Sequence, residues 1–300
     1  MEEALKMKIL ITGAKGQLGN ELVSILNGGR AEIGEMPRIF NGAKVIAADI
    51  EDFDITDINS VRDFINTHKP DIIINCAAMT NVDGCETMRD TAFSVNAAGV
   101  RNLAVCAEHI NAKLVHVSTD YVFSGDADRP YCEWDIINPQ SVYGASKALG
   151  EKYALCFCKR TFIVRTSWLY GYVGKNFVKT VRRVLKEKGK ITVVNDQLGN
   201  PTNANDLAFH LLKIAATGDY GIYHCTGEGI CSWYEFAQKI AEYSGYGESA
   251  VKPCTSEQYK SPTKRPAYSA LCNMALECGI GNEMRDWQSA LKEYISKVKD

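Results

Sequence analysis

The chain of 300 residues carries 34 Lys and Arg against 36 Asp and Glu, a formal charge of −2. That balance excludes a broad electrostatic footprint for nucleic acid or an anionic membrane, and leaves room only for a local basic pocket. Apolar residues make up 46% and charged residues 23%, too apolar for disorder and enough to fill the core of one extended domain or two lobes.

No apolar run approaches the roughly 18 residues of a bilayer span; the longest, Ile72–Met79, is strand-sized. The opening Met1-Glu2-Glu3-Ala4-Leu5-Lys6 lacks the basic-then-apolar build of a signal peptide, so a cytoplasmic chain is expected. Eleven cysteines are scattered from Cys76 to Cys278 without a Cys-x-x-Cys. Cys156-x-Cys158 and His224-Cys225 with Cys231 come nearest to ligand spacing, and neither has a matching second pair. No metal site is expected, and the cysteines read as small buried hydrophobes in a reducing compartment.

In chain order, Lys8–Thr12 is a β-branched strand that ends at Gly13, and a helix follows with Leu18, Leu22, Val23 and Leu26 on one stripe, stopping at Gly28-Gly29. Residues 28–42 are expected to be an inserted surface loop. Lys44–Ala48 reads as a second strand closed by Asp49. Asp57 is placed to cap a helix whose apolar face holds Val61, Phe64 and Ile65 and which ends at Lys69-Pro70. Strand 71–76, a long helix through 96–109 and strand 113–117 complete the alternation. Continuous apolar strands mean that both sheet faces are covered, which predicts an α/β fold with a doubly wound parallel, Rossmann-like sheet.

After Arg165 the rhythm loosens. Residues 160–166 read as a strand and 177–186 as a basic amphipathic helix, with short strands at 191–194 and 221–225. Ser244 to Ala267 holds three of the eight prolines and reads as mostly loop, and 284–298 as a final helix. No internal repeat or low-complexity tract is present. A smaller C-terminal lobe is expected to form one wall of a cleft over the sheet.

Gly13-Ala14-Lys15-Gly16-Gln17-Leu18-Gly19 stands at the first strand-to-helix junction. Gly13 allows the tight turn, Gly16 admits a pyrophosphate to backbone N–H groups, and Gly19 lets helix and strand pack closely. The helix N-terminus then faces the anion with free donors and the positive end of its dipole. Asp49, ending the second strand, is the candidate for the adenosine ribose hydroxyls, although it stands farther from Gly13 than the usual spacing. It would disfavour a 2′-phosphate, whereas Lys15 would attract one, so the cofactor is NADPH or NADH. The expected dinucleotide-binding domain is 7–170 with a return segment at about 200–226; 171–199 and 227–300 form the smaller substrate lobe.

Tyr143-Gly144-Ala145-Ser146-Lys147 puts a phenol and an ammonium on one face of a helix expected to begin near Asn138-Pro139. A free tyrosine with a pKa of about 10 is a poor proton shuttle, and a neighbouring Lys⁺ favours its phenolate. With fourteen tyrosines in the chain such a pair is expected by chance, so alone it says little. Ser118-Thr119-Asp120, however, follows the fourth strand, at the sheet end where ligands bind. A hydroxyl there suits a substrate carbonyl.

These motifs, together with Asn75-Cys76-Ala77-Ala78 and Tyr121-Val122-Phe123, resemble the extended short-chain dehydrogenase/reductase family. Thr80-Asn81-Val82-Asp83, Arg165-Thr166-Ser167-Trp168-Leu169-Tyr170, Asn195-Asp196-Gln197-Leu198-Gly199-Asn200-Pro201-Thr202 and Lys264-Arg265-Pro266 narrow the likeness to its dTDP-4-dehydrorhamnose reductase branch. The resemblance runs from about Lys8 to the C-terminal helix.

It implies Thr119, Tyr143 and Lys147 as catalytic residues, with Lys147 lowering the Tyr143 pKa and holding the nicotinamide ribose. It puts Gly13, Gly16, Gln17, Leu18, Asp49, Ala77 and Ala78 along the cofactor, and Thr80, Val82, Tyr121 and Trp168 around a nucleotide-linked 4-keto sugar. Asn176, Arg183, Lys264 and Arg265 are candidates for the substrate diphosphate from charge and position. Some relatives hold Mg²⁺ between subunits, but no residue of this chain is assigned to it; a homodimer is compatible with the resemblance.

Two other readings stand beside this one. A nucleotide-sugar dehydratase or epimerase shares the fold, but the dehydratases carry Thr-Asp-Glu where this chain has Thr119-Asp120-Tyr121. A non-catalytic regulatory subunit, resembling the methionine adenosyltransferase β-subunit, would be expected to relax the triad, and all three residues are present.

Overall fold

A computed structural model describes residues 6–259 and 262–298. The reading of Met1–Leu5 falls outside the described residues, as do the last two residues of the final lobe and positions 260–261 of the stretch read as loop. Strands β1 (Lys8–Thr12), β2 (Lys44–Ala48), β3 (Ile72–Asn75), β4 (Lys113–Thr119) and β5 (Thr161–Thr166) join Gly221–His224 in one sheet. Their spatial order is β2-β1-β3-β4-β5 and then Gly221–His224, with every pair parallel. This is the doubly wound, Rossmann-like sheet that the alternation implied, with its switch point between β1 and β3.

Alternation along the strands distributes the core. Ile9, Ile11, Ile72 and Ile74 face one layer, built on helix α1 (Gln17–Gly28) and helix Ala204–Ala216. Leu10 and Ile73 face the other, built on α2 (Ile58–His68) and the helices after β3. Those later helices are α3 (Val82–Thr87), α4 (Arg89–Phe93), a π-helical stretch Ser94–Gly99 and α5 (Val100–His109). The helix expected through 96–109 is therefore continuous but wound wide at its start. There Asn96 turns inward, accepting from Met79 N at 2.8 Å and donating to Ser146 Oγ at 3.0 Å.

Several expectations are corrected. Helix α6 (Val142–Phe157) starts later than Asn138-Pro139, because Ser141 is its N-cap and accepts from Gly144 N at 3.1 Å. Residues 28–42 are not a mere surface loop. Ala31, Met36 and Phe40 are buried in the core, and Glu32 accepts from Tyr172 Oη at 2.7 Å and Arg285 Nη2 at 2.8 Å. The insertion thus ties the sheet domain to the C-terminal part. Within the loop-rich stretch Ser244–Ala267, Val251–Cys254 pairs in parallel with Ile191–Val194 and Ser256–Tyr259 is a helical turn. The final helix is Trp287–Lys297, capped by Asp286.

Helix Ala204–Ala216 was not read from the sequence because it is buried almost all round and so has no polar stripe. Helix Trp233–Tyr243 was also missed, although its Ser232-x-x-Glu235 capping box was legible. The cysteines are all free; five are buried, but Cys156 and Cys278 are exposed, against the expectation of uniformly buried thiols. No helix among the described residues is long and apolar enough to cross a membrane.

Arg165 and Glu151 form a buried ion pair with side chains 3% exposed, Nη2 to Oε2 at 2.8 Å and Nε to Oε1 at 2.9 Å. It clamps α6 to β5. Helix α6 also crosses the Asn96 carbonyl so closely that a Cβ on Gly150 would stand 2.2 Å from that oxygen. Gly150→Ala is therefore expected to cost about 1–3 kcal/mol in urea unfolding, the usual penalty of overpacking. An unchanged midpoint would mean that α6 is free to shift away from the Ser94–Gly99 stretch.

Candidate active site

A cleft of about 760 Å³ lies over the carboxyl ends of β1, β3, β4 and β5. At one end is the glycine turn. Gly13 has φ +65°, and a Cβ there would stand 2.8 Å from Ala77 N; on Gly19 it would stand 2.3 Å from Gly13 O. Only glycine permits this approach of the β1 turn to the β3 end. Gly16 is the N-cap of α1 and makes no side-chain hydrogen bond there, so the first N–H groups of the helix face the cleft beside Gln17 and Leu18.

Asp49 follows β2, and its carboxylate accepts from Lys15 N at 3.1 Å and Ile50 N at 3.0 Å. The Lys15 ammonium is paired with Glu51 at 2.9 Å on the exposed rim.

At the other end three elements converge. β4 delivers Ser118 and Thr119, the turn after it delivers Asp120 and Tyr121, and α6 delivers Tyr143 and Lys147. Gly144 brings α6 this near, since a Cβ there would stand 2.1 Å from Tyr121 O. Thr119 Oγ1 donates to Asp120 Oδ1 at 2.8 Å and accepts from Tyr121 N at 3.3 Å, beside the Tyr143 phenol.

Burial raises the Tyr143 pKa above its ordinary value, with the neighbouring Thr119 hydroxyl acting the other way. Burial likewise raises the Asp120 carboxyl to about 6, with the nearby Ser269 and Thr119 hydroxyls acting the other way. Lys147, buried beneath Tyr143, donates to Val117 O at 2.6 Å; its pKa falls to about 8 through burial, with Glu151 acting the other way.

The side wall is aromatic. Trp168 sits at φ +46° and stacks on Trp233 with ring centroids 3.6 Å apart and planes 9° from parallel. Gly199 makes the room, as a Cβ there would stand 2.6 Å from the Trp168 ring. Tyr121 lies edge-on to Tyr143 at 5.5 Å.

The cleft therefore brings together Gly13, Gly16, Gln17, Leu18, Asp49, Ala77 and Ala78 with Thr119, Tyr143 and Lys147, and with Thr80, Val82, Tyr121 and Trp168. The four residues suggested for a diphosphate are not in its lining. Asn176 caps helix Phe177–Lys188 and donates to Gln17 Oε1 at 2.9 Å, and Arg183 pairs with Glu187 on an exposed helix face. Lys264 and Arg265 border a small recess that shares Tyr121, and Arg265 reaches Asp83 at 3.5 Å. Trp233 and Asp120 are cleft residues that the sequence reading did not assign. Trp233 opens the helix whose capping box was overlooked, and Asp120 stood in plain view beside Thr119. Among the described residues no group of three or more His, Cys, Asp or Glu could hold a metal.

The family model described as RmlD substrate binding domain matches residues 7–300. The chain belongs to the RmlD substrate binding domain family. It is 42% identical to the spore coat polysaccharide biosynthesis protein SpsK of Bacillus subtilis, over 97% of each protein. The structure of a dTDP-4-dehydrorhamnose reductase from Clostridium acetobutylicum superposes with a TM-score of 0.91 at 46% identity, covering 97% of this chain and 99% of that one. That of Bacillus anthracis dTDP-4-dehydrorhamnose reductase in complex with NADP gives 0.91 at 40% identity, covering 98% and 100%. The motif resemblance thus extends over the whole family match.

The low pKa of Lys147 has a consequence for stability. Native Lys147 loses its proton near pH 8, whereas the unfolded chain holds it to about the ordinary 10.5. Below pH 8 both states are protonated and the native state bears the full cost of the buried charge. Between the two values the unfolded state binds more protons, so stability rises with pH across that window. Lys147→Met lacks the charge. Its urea midpoint relative to the parent is expected to be most favourable below pH 8 and to lose that advantage towards pH 10; a constant difference would contradict the assignment.

Proposed function

We propose that this chain is an NADPH- or NADH-dependent oxidoreductase that reduces the 4-keto group of dTDP-4-dehydro-L-rhamnose to give dTDP-L-rhamnose. The observation that carries the reading is the convergence of Tyr143, Thr119 and Lys147 at one end of a cleft whose other end is the Gly13–Gly19 turn. Family membership supports the substrate class, and the names of the two solved relatives supply the sugar nucleotide.

The residues fit a dinucleotide. The turn at Gly13 and Gly19 leaves no room for side chains, and the α1 N-terminus is open to an anion. Ser118 Oγ and Thr166 Oγ1 are buried in the cleft without a protein partner, which suits a polar ligand. Gly16, Gln17 and Leu18 would hold the pyrophosphate, Asp49 the adenosine ribose, Ala77 and Ala78 the flank, and Tyr143 and Lys147 the nicotinamide ribose. When bound, the reduced nicotinamide supplies the hydride.

The chain's own part is orientation and proton transfer. An arriving carbonyl oxygen competes with Asp120 for the single Thr119 hydroxyl hydrogen and would accept a second hydrogen bond from the Tyr143 phenol. Both donors then point at the oxygen on which negative charge develops. Tyr143 gives its proton to that oxygen, and Lys147 opposes the burial that otherwise disfavours the phenolate. Trp168 backed by Trp233 forms a flat wall for the sugar, with Thr80, Val82 and Tyr121 around it. The product would feed cell-surface polysaccharide synthesis, in keeping with the name of the Bacillus subtilis relative.

The test is loss of the reduced-nicotinamide absorbance with dTDP-4-dehydro-6-deoxyglucose and the 3,5-epimerase that supplies the L-form. Epimerase-dependent oxidation is expected, and its absence with folded, cofactor-binding protein would overturn the reading. Tyr143→Phe should lower kcat by roughly 10²–10⁴-fold with cofactor binding intact, the usual worth of a positioned acid. Asp49→Asn should weaken NADH binding more than NADPH binding in a titration of cofactor fluorescence; equal weakening would remove Asp49 from the ribose site.

A further inference from the structure

A line of buried polar side chains runs across the sheet beneath Lys147. Thr12 Oγ1 donates to Asn75 Oδ1 at 2.6 Å, and Ala77 N donates to the same oxygen at 3.2 Å. Asn75 Nδ2 lies 3.0 Å from His116 Nδ1, and His116 Nε2 lies 3.5 Å from Lys147 Nζ. Asn75 and His116 are essentially inaccessible to solvent, so water does not complete these bonds.

The direction of the chain follows from one backbone group. The Ala77 N–H can only donate, so the Asn75 atom it meets must be the oxygen, and the amide cannot be reversed. Asn75 therefore turns its NH₂ toward His116, and His116 Nδ1 must accept. A neutral imidazole then carries its hydrogen on Nε2, facing the lysine. Burial and the Lys147 charge both lower the His116 pKa, which keeps the ring neutral. The spacings agree: Lys147 Nζ is 2.6 Å from the Val117 carbonyl, a true acceptor, but 3.5 Å from the ring nitrogen.

We infer that His116 is a positioning residue for Lys147, held by Asn75 in the tautomer whose N–H faces the lysine nitrogen and so favours the neutral amine over the ammonium. The other groups around Lys147 are accounted for. On α6, Glu151 favours the ammonium, but its carboxylate is bound by Arg165 of β5. At the end of β3, Cys76 is a thiol whose pKa burial pushes up to about 12. Tyr143 of the same helix is held as a neutral phenol by burial. His116 is the group aimed at Nζ that turns a donor toward it. Gly150 leaves space for this contact, with its Cβ position 3.5 Å from His116 Nε2. The consequence for catalysis, which rests on the proposed reductase reading, is that Lys147 exchanges its proton in the range where the enzyme works.

Asn75→Asp inverts the device. Its oxygens still accept from Thr12 and Ala77, but the second one accepts from His116 Nδ1, which moves the ring hydrogen there and frees Nε2 to accept from the ammonium. The experiment is a ¹⁵N spectrum of histidine-labelled protein with a ¹³Cε titration of Lys147, neither of which needs turnover. The expected result is an Nε2–H tautomer in the parent, Nδ1–H in Asn75→Asp, and a Lys147 midpoint raised by about one pH unit or more, the size a close favourable partner imposes. The high-pH limb of kcat should move with it.

Asn75→Asp/His116→Met keeps the added carboxylate but removes the ring. An equal rise there would assign the effect to charge alone and overturn the inference, as would an unmoved midpoint in the single variant. Should the aspartate variants not fold, the parent spectrum decides, since an Nδ1–H tautomer refutes the proposal. Absence of reductase activity with these NMR results intact would count against the functional reading and not against the role of His116.

Discussion

Helix α6 lies so near the backbone of the turn after β4 and of the Ser94–Gly99 stretch that two of its positions have room only for hydrogen. At Gly144 the obstacle is the Tyr121 carbonyl, and at Gly150 the Asn96 carbonyl. Tyr143 and Lys147 stand on this helix beside and between those contacts, so their placement over β4 follows from backbone meeting backbone. Side chains there would hold the helix off, and the phenol would lose Thr119 while the lysine lost Val117. The Glu151–Arg165 pair secures the same helix from the β5 side. A buried ion pair is weak evidence for stability, because desolvation offsets much of its attraction, but breaking one partner leaves a stranded charge. Its clearer contribution is to fix the rotation of α6 about its own axis.

How far the sequence disclosed this arrangement varied with the physics of each segment. The first five strands and the helices up to α2 were legible because strand-length apolar runs end at Gly13, Asp49 and Pro70, which punctuate the chain. The cleft residues were legible because the turn glycines, Thr119 and Tyr143 sit at element ends, and Lys147 falls one helical turn after Tyr143 on the same face. Ala204–Ala216 was not legible: a helix buried on every side has lost the periodicity that would reveal it. The core role of Ala31, Met36 and Phe40 was hidden too, since nothing local marks three apolar residues in a Gly-rich insertion as partners of a sheet face. Trp233 reaches the cleft only through tertiary contact with Trp168, far away in sequence.

The same insertion shows how the C-terminal part is held. Glu32 meets Tyr172, Arg285 and Lys297, while Arg285 also grips Asp206 at 2.6 Å. Arg285 thus joins the loop after α1 to the helix Ala204–Ala216, next to the final helix. Planar guanidinium suits this shared role, as several carboxylate oxygens can be met in one plane. The wall that carries Trp233 is fastened to the sheet domain at a point remote from the cleft.

The stacked indoles come from distant parts of the chain but one core: Trp168 follows β5, Trp233 opens a later helix, and both pack against the same cluster around Phe236. Parallel aromatic faces resist separation, which would wet both, but resist sliding in their common plane far less. Trp168 also faces Phe236 of the Trp233 helix at 6.4 Å, so the cleft wall is the outer face of one aromatic cluster that continues into the core beneath it.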